Sequence, residues 1–144
     1  MEKEKLFQAY KNYLESYALH EVFAVDYLTI IGERHGFQVY RFRDKLVALV
    51  KHGHSDIRNG ANVIVSHLDS PRLDVLAGEP LVEKPDGVFL KVVPYGGIIP
   101  QLWLDIPLVL VGRIYTDNGP ININTKDEFE FTITSLLPHL DGRK

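Results

Sequence analysis

The sequence contains no cysteine among its 144 residues, so disulfides and thiolate metal sites are excluded. That fits a reducing compartment, and a cytoplasmic protein is the expectation. An excess of positive charge is also missing. The formal net charge is −3, which gives no reason to expect a nucleic-acid partner. No apolar run is long enough to span a bilayer. The N-terminus, Met1-Glu2-Lys3-Glu4-Lys5, is charged and leads into an amphipathic stretch, not the apolar core of a signal peptide. There is no internal repeat and no low-complexity tract. What remains, with 45% apolar and 24% charged residues, is the composition of a soluble globular chain long enough for one ordinary domain or two small ones.

Hydrophobic periodicity divides the chain into two halves. Residues 5–17 read as a helix, with Leu6, Tyr10, Tyr13, Leu14 and Tyr17 at helical spacing. Residues 20–35 read as a second helix, with a broad face of Val22, Phe23, Ala24, Tyr27, Leu28 and Ile31 and with Gly36 as its C-terminal cap. Residues 37–42 and 45–51 read as strands, with His52-Gly53-His54-Ser55 as a turn. The run Val63-Ile64-Val65 predicts a buried strand over residues 62–66. Beyond Pro71 strand-like runs recur at 88–93, 108–115, 121–124 and 129–134, separated by turn signals such as Lys84-Pro85-Asp86-Gly87 and Asp117-Asn118-Gly119-Pro120. The expectation is an α/β region of two helices and about three strands over residues 1–75. A β-rich region of barrel or sandwich character is expected over 76–144.

The residues with the clearest chemical meaning follow the 62–66 run. Side chains two apart on an extended chain point the same way, so His67 and Asp69 would emerge together where the strand ends. A carboxylate beside a ligating imidazole accepts its other ring N–H and fixes the tautomer. A His-x-Asp at a strand end is also a common hydrogen-bonded pair with no metal. His52 and His54, in a polar turn, read as surface residues. His20, His35 and His139 read as structural or solvated. Arg72 and Asp74 read as structural, pairing with each other or with neighbouring strands. Gly96-Gly97 has neither the spacing nor the Lys-Ser/Thr ending of a phosphate loop, and reads as a tight turn.

The wider stretch Ser66-His67-Leu68-Asp69-Ser70-Pro71-Arg72-Leu73-Asp74 resembles the first metal-ligand motif of the aspartyl aminopeptidase family, which are dinuclear-zinc exopeptidases. A second block agrees in order and character: Tyr95-Gly96-Gly97, then Trp103-Leu104-Asp105-Ile106-Pro107-Leu108, then Gly112-Arg113. Residues 133–140 are similar to a later segment of the same inserted domain. The resemblance implies a zinc-dependent aminopeptidase acting on peptides. His67 would be a metal ligand and Asp69 its orienting partner, named with the catalytic residues. The β-rich half would be an inserted dimerisation domain.

By the same resemblance, Gln101, Trp103 and Asp105 fall in the block that meets substrate or a dimer partner, and self-association is the expected assembly. Two departures stand out. Relatives carry a His where this chain has Gln101 and an Arg where it has Ile106, so the resemblance does not extend to selectivity for acidic N-terminal residues. The adjacent Glu pair, the bridging Asp and the late His of the family are not found in these 144 residues. The chain is therefore expected to correspond to the N-terminal portion of such an enzyme, inactive in isolation. The alternative is a non-catalytic oligomerisation or binding module of the same descent. The continuation of the reading frame would separate the two.

Overall fold

A computed structural model describes residues 2–85 and 87–135. His139 and most of the 133–140 block lie outside the described residues. The chain divides into two compact units. The first comprises the described residues of Met1–Ser70 with Gly112–Ile121. The second comprises those of Pro71–Val111 with Asn122–Lys144.

In the first unit, helix α1 (Glu2–Ser16) is followed by helix α2 (Glu21–Arg34) and an antiparallel hairpin of β1 (Gln38–Phe42) and β2 (Leu46–Val50). The His20 side chain caps α2 by accepting from the Val22 N–H at 3.2 Å, filling one of the bonds a helix start leaves open. At the other end Gly36 has φ +73°, with Gly36 N donating to Glu33 O and Phe37 N to Gly32 O. That is the left-handed C-terminal cap the sequence predicts. Val22, Ala24 and Val25 form the buried core. α2 lies against both hairpin strands, and its closest approach is at Gly32. A Cβ there would meet Leu49 Cδ2 at 2.6 Å and Val39 Cγ2 at 3.3 Å. α1 joins α2 through tyrosines: Tyr27 stacks on Tyr17 with centroids 4.3 Å apart and meets Tyr13 at 5.5 Å.

The β1–β2 turn places Arg43 and Asp44 both at positive φ, the geometry a tight hairpin needs and non-glycine residues resist. Side-chain bonds hold it there. Arg41 Nη2 donates to Asp44 Oδ1 at 2.6 Å and to Asp26 Oδ1 of α2 at 2.7 Å. Arg113 donates to Asp26 Oδ2 at 2.5 Å and lies 3.8 Å from Asp44. Tyr115 donates to Asp44 Oδ2 at 3.3 Å. Burial tends to raise the Asp26 carboxyl, but hydrogen bonds from Arg113 and Arg41 outweigh it and hold the group below the ordinary carboxylate range.

In the second unit, β3 (Arg72–Val75) pairs antiparallel with β6 (Val92–Tyr95), enclosing a hairpin of β4 (Leu81–Lys84) and β5 (Gly87–Leu90). Main-chain bonds from Leu76 N to Lys91 O and from Lys91 N to Pro80 O carry one ladder into the other. The predicted single strand at 88–93 is thus split at Lys91, because one residue there opposes the five-residue excursion 76–80. β7 (Val111–Thr116) and β8 (Gly119–Asn124), whose residues 112–116 and 119–121 belong to the first unit, form a further two-stranded ladder. Thr125 extends it, exchanging bonds with Leu110 through its main-chain N and its hydroxyl.

Two strand expectations are overturned. Residues 62–66 form no strand. The side chains of Val63, Ile64 and Val65 are 78%, 97% and 86% exposed. A β-branched run sets the extended backbone preference, but a strand exists only as part of a ladder, and no described segment pairs with this one. The predicted strand at 129–134 is likewise reduced to isolated bridges at Phe131 and Ile133. Among the described residues no helix is long and apolar enough to cross a membrane.

Candidate functional site

His67 and Asp69 belong to the first unit and directly follow the 62–66 segment. His67 Nδ1 lies 3.4 Å from Asp69 Oδ1 and 3.2 Å from the Asp69 carbonyl oxygen. An Nδ1–H directed at those oxygens fixes the tautomer and leaves Nε2 as the ring nitrogen turned away from Asp69. The His67 side chain is 86% exposed. Directly after it, the Ser70 hydroxyl donates to the Ala18 carbonyl at 2.9 Å, tying the segment to the α1–α2 connection. The segment is thus tied to the helical connection without a strand supporting it.

The rest of the first motif is held within the second unit. Arg72 Nε donates to Asp74 Oδ1 at 2.6 Å, and its guanidinium lies 4.0 Å from the ring centroid of Tyr95, its cross-strand partner. Gly96, at φ +77°, approaches so closely that an added Cβ would lie 3.4 Å from Pro71 Cα. The two sequence blocks, Pro71–Asp74 and Tyr95–Gly97, are thus packed against each other, and Gly96 serves the tight turn that the Gly-Gly pair predicts.

Zinc takes about three protein ligands in catalytic sites and four in structural ones. Among the described residues no group of three or more His, Asp or Glu side chains is placed to hold a metal ion. His67 with Asp69 supplies one imidazole donor and one orienting carboxylate. The described residues do not make up a complete zinc site.

Gln101, Trp103 and Asp105 lie in the second unit on the stretch after Gly97. Residues Pro100–Trp103 form a single 3₁₀ turn, closed by Leu102 N donating to Ile99 O at 2.9 Å. Gln101 is exposed and Trp103 half-buried. Ile99 and Leu102 are also exposed. The Asp105 carboxylate is engaged inside the chain, accepting from the Ser135 main-chain N–H at 3.0 Å and from the Ser135 hydroxyl. Those bonds, the hydroxyl's first, hold its carboxyl below the ordinary range. Ser135 lies thirty positions further along the chain and carried no signal of its own.

Comparison with known proteins places this geometry in context. The chain matches the family described as aminopeptidase I zinc metalloprotease (M18) over residues 5–144. It is 44% identical over 108 residues to a probable M18 family aminopeptidase 1 of Borreliella afzelii, covering 72% of this chain and 23% of that protein. It is 43% identical over 90 residues to the Thermotoga maritima counterpart, covering 60% and 20%. Its structure resembles the crystal structure of aminopeptidase I from Borrelia burgdorferi, with a TM-score of 0.80, 29% identity, and 95% of this chain against 39% of that one. It resembles the M18 aminopeptidase of Thermotoga maritima equally, with a TM-score of 0.80, 34% identity, and 97% against 35%. The chain thus spans about a quarter of the length of the curated relatives it matches.

Proposed function

The chain belongs to the M18 family of aminopeptidase I zinc metalloproteases, and from that premise we propose that it serves metal-assisted removal of N-terminal residues from peptides. In this reading His67 is a zinc ligand through Nε2, and Asp69 is the carboxylate that holds its ring. The observation that carries it is the pairing of His67 Nδ1 with the Asp69 carboxylate at 3.4 Å within the Ser-His-Leu-Asp-Ser-Pro segment. The donor count limits what these 144 residues do unaided. One imidazole and its carboxylate hold no catalytic zinc, and no further group completes the site among the described residues, so in this reading hydrolysis draws on further ligands and a general base. The location we propose is the cytoplasm.

The assay is release of product from a panel of aminoacyl nitroanilides by the purified 144-residue polypeptide with added zinc. No turnover is expected. Turnover that is abolished both by a chelator and by His67→Ala would overturn the proposed division of ligands.

A second reading is supported by the exposed apolar side chains of Ile99, Leu102 and Ile106. Here residues 76–144 act as a β-rich dimerisation module of barrel or sandwich type, and the chain works by associating with itself. Trp103 and the surrounding turn would lie at that contact. Sedimentation of the dilute protein distinguishes this reading from the first.

A further inference from the structure

We propose that Asp105 is a positioning residue, clamped by Ser135, that fixes the Pro100–Trp103 turn and so sets where Gln101 and Trp103 are presented. The argument starts from chain direction. Leu104 bridges Ile133 in the parallel sense, and four residues later Leu108 bridges Phe131 in the antiparallel sense. The chain must reverse between those two bridges. Asp105 makes the reversal at φ +57°, in the left-handed region that side chains other than Asn and Asp rarely occupy.

A residue kept in that conformation needs surrounding bonds that over-determine it. Asp105 has three. Its N–H donates to Ile133 O at 2.9 Å, one carboxylate oxygen accepts from Ser135 N at 3.0 Å, and the other accepts from the Ser135 hydroxyl. All three reach the same short segment, 133–135. Leu108 adds two further main-chain bonds to Phe131, both at 2.8 Å. The segment 131–135 is therefore a rail. Asp105, next to the Leu104 bridge, is held to this rail by its side chain two residues from Trp103 and its turn.

This assigns the carboxylate an internal task. With both oxygens engaged by Ser135, Asp105 acts on any ligand or partner through the turn it holds. The inference deepens the aminopeptidase reading only by naming what positions Gln101 and Trp103. Its test involves no catalysis, so either idea fails without the other.

Trp103 is the only tryptophan in the chain, so its fluorescence reports this turn alone. The experiment measures acrylamide quenching and anisotropy decay of Trp103 in the 144-residue protein and in Asp105→Asn, Ser135→Ala and Ser135→Thr. Asparagine tolerates the left-handed backbone but loses the paired carboxylate acceptors, which separates the clamp from backbone strain. Asp105→Asn and Ser135→Ala are each expected to raise the quenching constant about twofold and to add a fast anisotropy component, with far-UV circular dichroism unchanged. The double variant is expected to match the larger single effect, because both remove one clamp. Ser135→Thr, which keeps the hydroxyl donor, is expected to stay within about a quarter of the wild-type value. Unchanged Trp103 dynamics in Asp105→Asn and Ser135→Ala would overturn the proposal. So would additive effects of the two, or a threonine variant as mobile as the alanine one.

Discussion

Replacing Arg113 by methionine is expected to destabilise the chain by about 2 kcal/mol. The side chain is only 8% exposed, and its guanidinium serves two carboxylates, Asp26 at 2.5 Å and Asp44 at 3.8 Å. Removing one partner of a fully buried ion pair costs about 3–5 kcal/mol, because the other charge is left unpaired. Here that limit is not reached. Asp26 and Asp44 are each about one-third exposed, so water reaches the orphaned oxygens, and Arg41 still bridges both carboxylates at 2.7 Å and 2.6 Å. What is lost is closer to one charge-assisted hydrogen bond, about 1.5–3 kcal/mol, while methionine retains the apolar stem. Urea unfolding followed by circular dichroism measures the change, with the slope m expected to stay constant. A cycle with Asp26→Asn is expected to show about 1 kcal/mol of coupling. A loss below about 0.5 kcal/mol, or strict additivity, would show that solvent screens this network as it screens ordinary surface pairs.

The same network fixes a pH dependence. The folded Asp26 carboxyl titrates below its unfolded value of about 4, so its stabilisation is complete above that value and is lost as pH falls through the lower folded one. Acid unfolding of Asp26→Asn is expected to begin from a lower plateau with a shallower slope than wild type, and identical acid profiles would count against the assignment. Gly32→Val is expected to destabilise by about 1–2 kcal/mol despite valine's better helix propensity, because the new side chain enters space held by Leu49 and Val39; a melting temperature at or above wild type would mean the interface relaxes. Zinc titration of the 144-residue chain is expected to show at most weak binding that disappears in His67→Ala, and a stoichiometric tight site would contradict the donor count. Light scattering is expected to show self-association weakened by Trp103→Ala, whereas a stable monomer at micromolar concentration, unchanged by the substitution, would make the 98–108 apolar run internal packing.

Features encoded by neighbours in sequence were the legible ones. The helices follow from side chains repeating every three to four residues, and α2 ends at Gly36 because a left-handed cap is a local requirement. His67 and Asp69 face one another because residues two apart on an extended chain do so whether or not a ladder supports them. Of the two pairings open to Arg72 and Asp74, with each other or with neighbouring strands, the mutual one is formed. What the sequence did not reveal depends on residues far apart along it. Arg113 reaches Asp26 across 87 positions, and Asp105 reaches Ser135 across 30. β3 was missed because four residues, one of them Arg and one Asp, carry too little alternation to separate from a loop. Its strand state comes from β6, not from its own pattern.

The exposed run at 63–65 shows how local preference and ladder formation part company. Three β-branched side chains narrow the backbone to extended conformations, which is enough to keep His67 and Asp69 in register with each other. It is not enough to bury anything. Full burial of three such side chains is worth about 1.5–3 kcal/mol apiece, and none of that is realised among the described residues. An imidazole carried on such a segment keeps its neighbour without a ladder beneath it. An Nδ1–H directed at Asp69 would set the tautomer of His67, while the Ser70–Ala18 hydrogen bond helps to hold the segment that carries the imidazole. Any pairing that gives residues 62–66 a ladder would pre-organise His67 without altering a single contact of its ring. A metal affinity that rises when this segment is paired, with the His67–Asp69 geometry unchanged, is what that separation of roles requires.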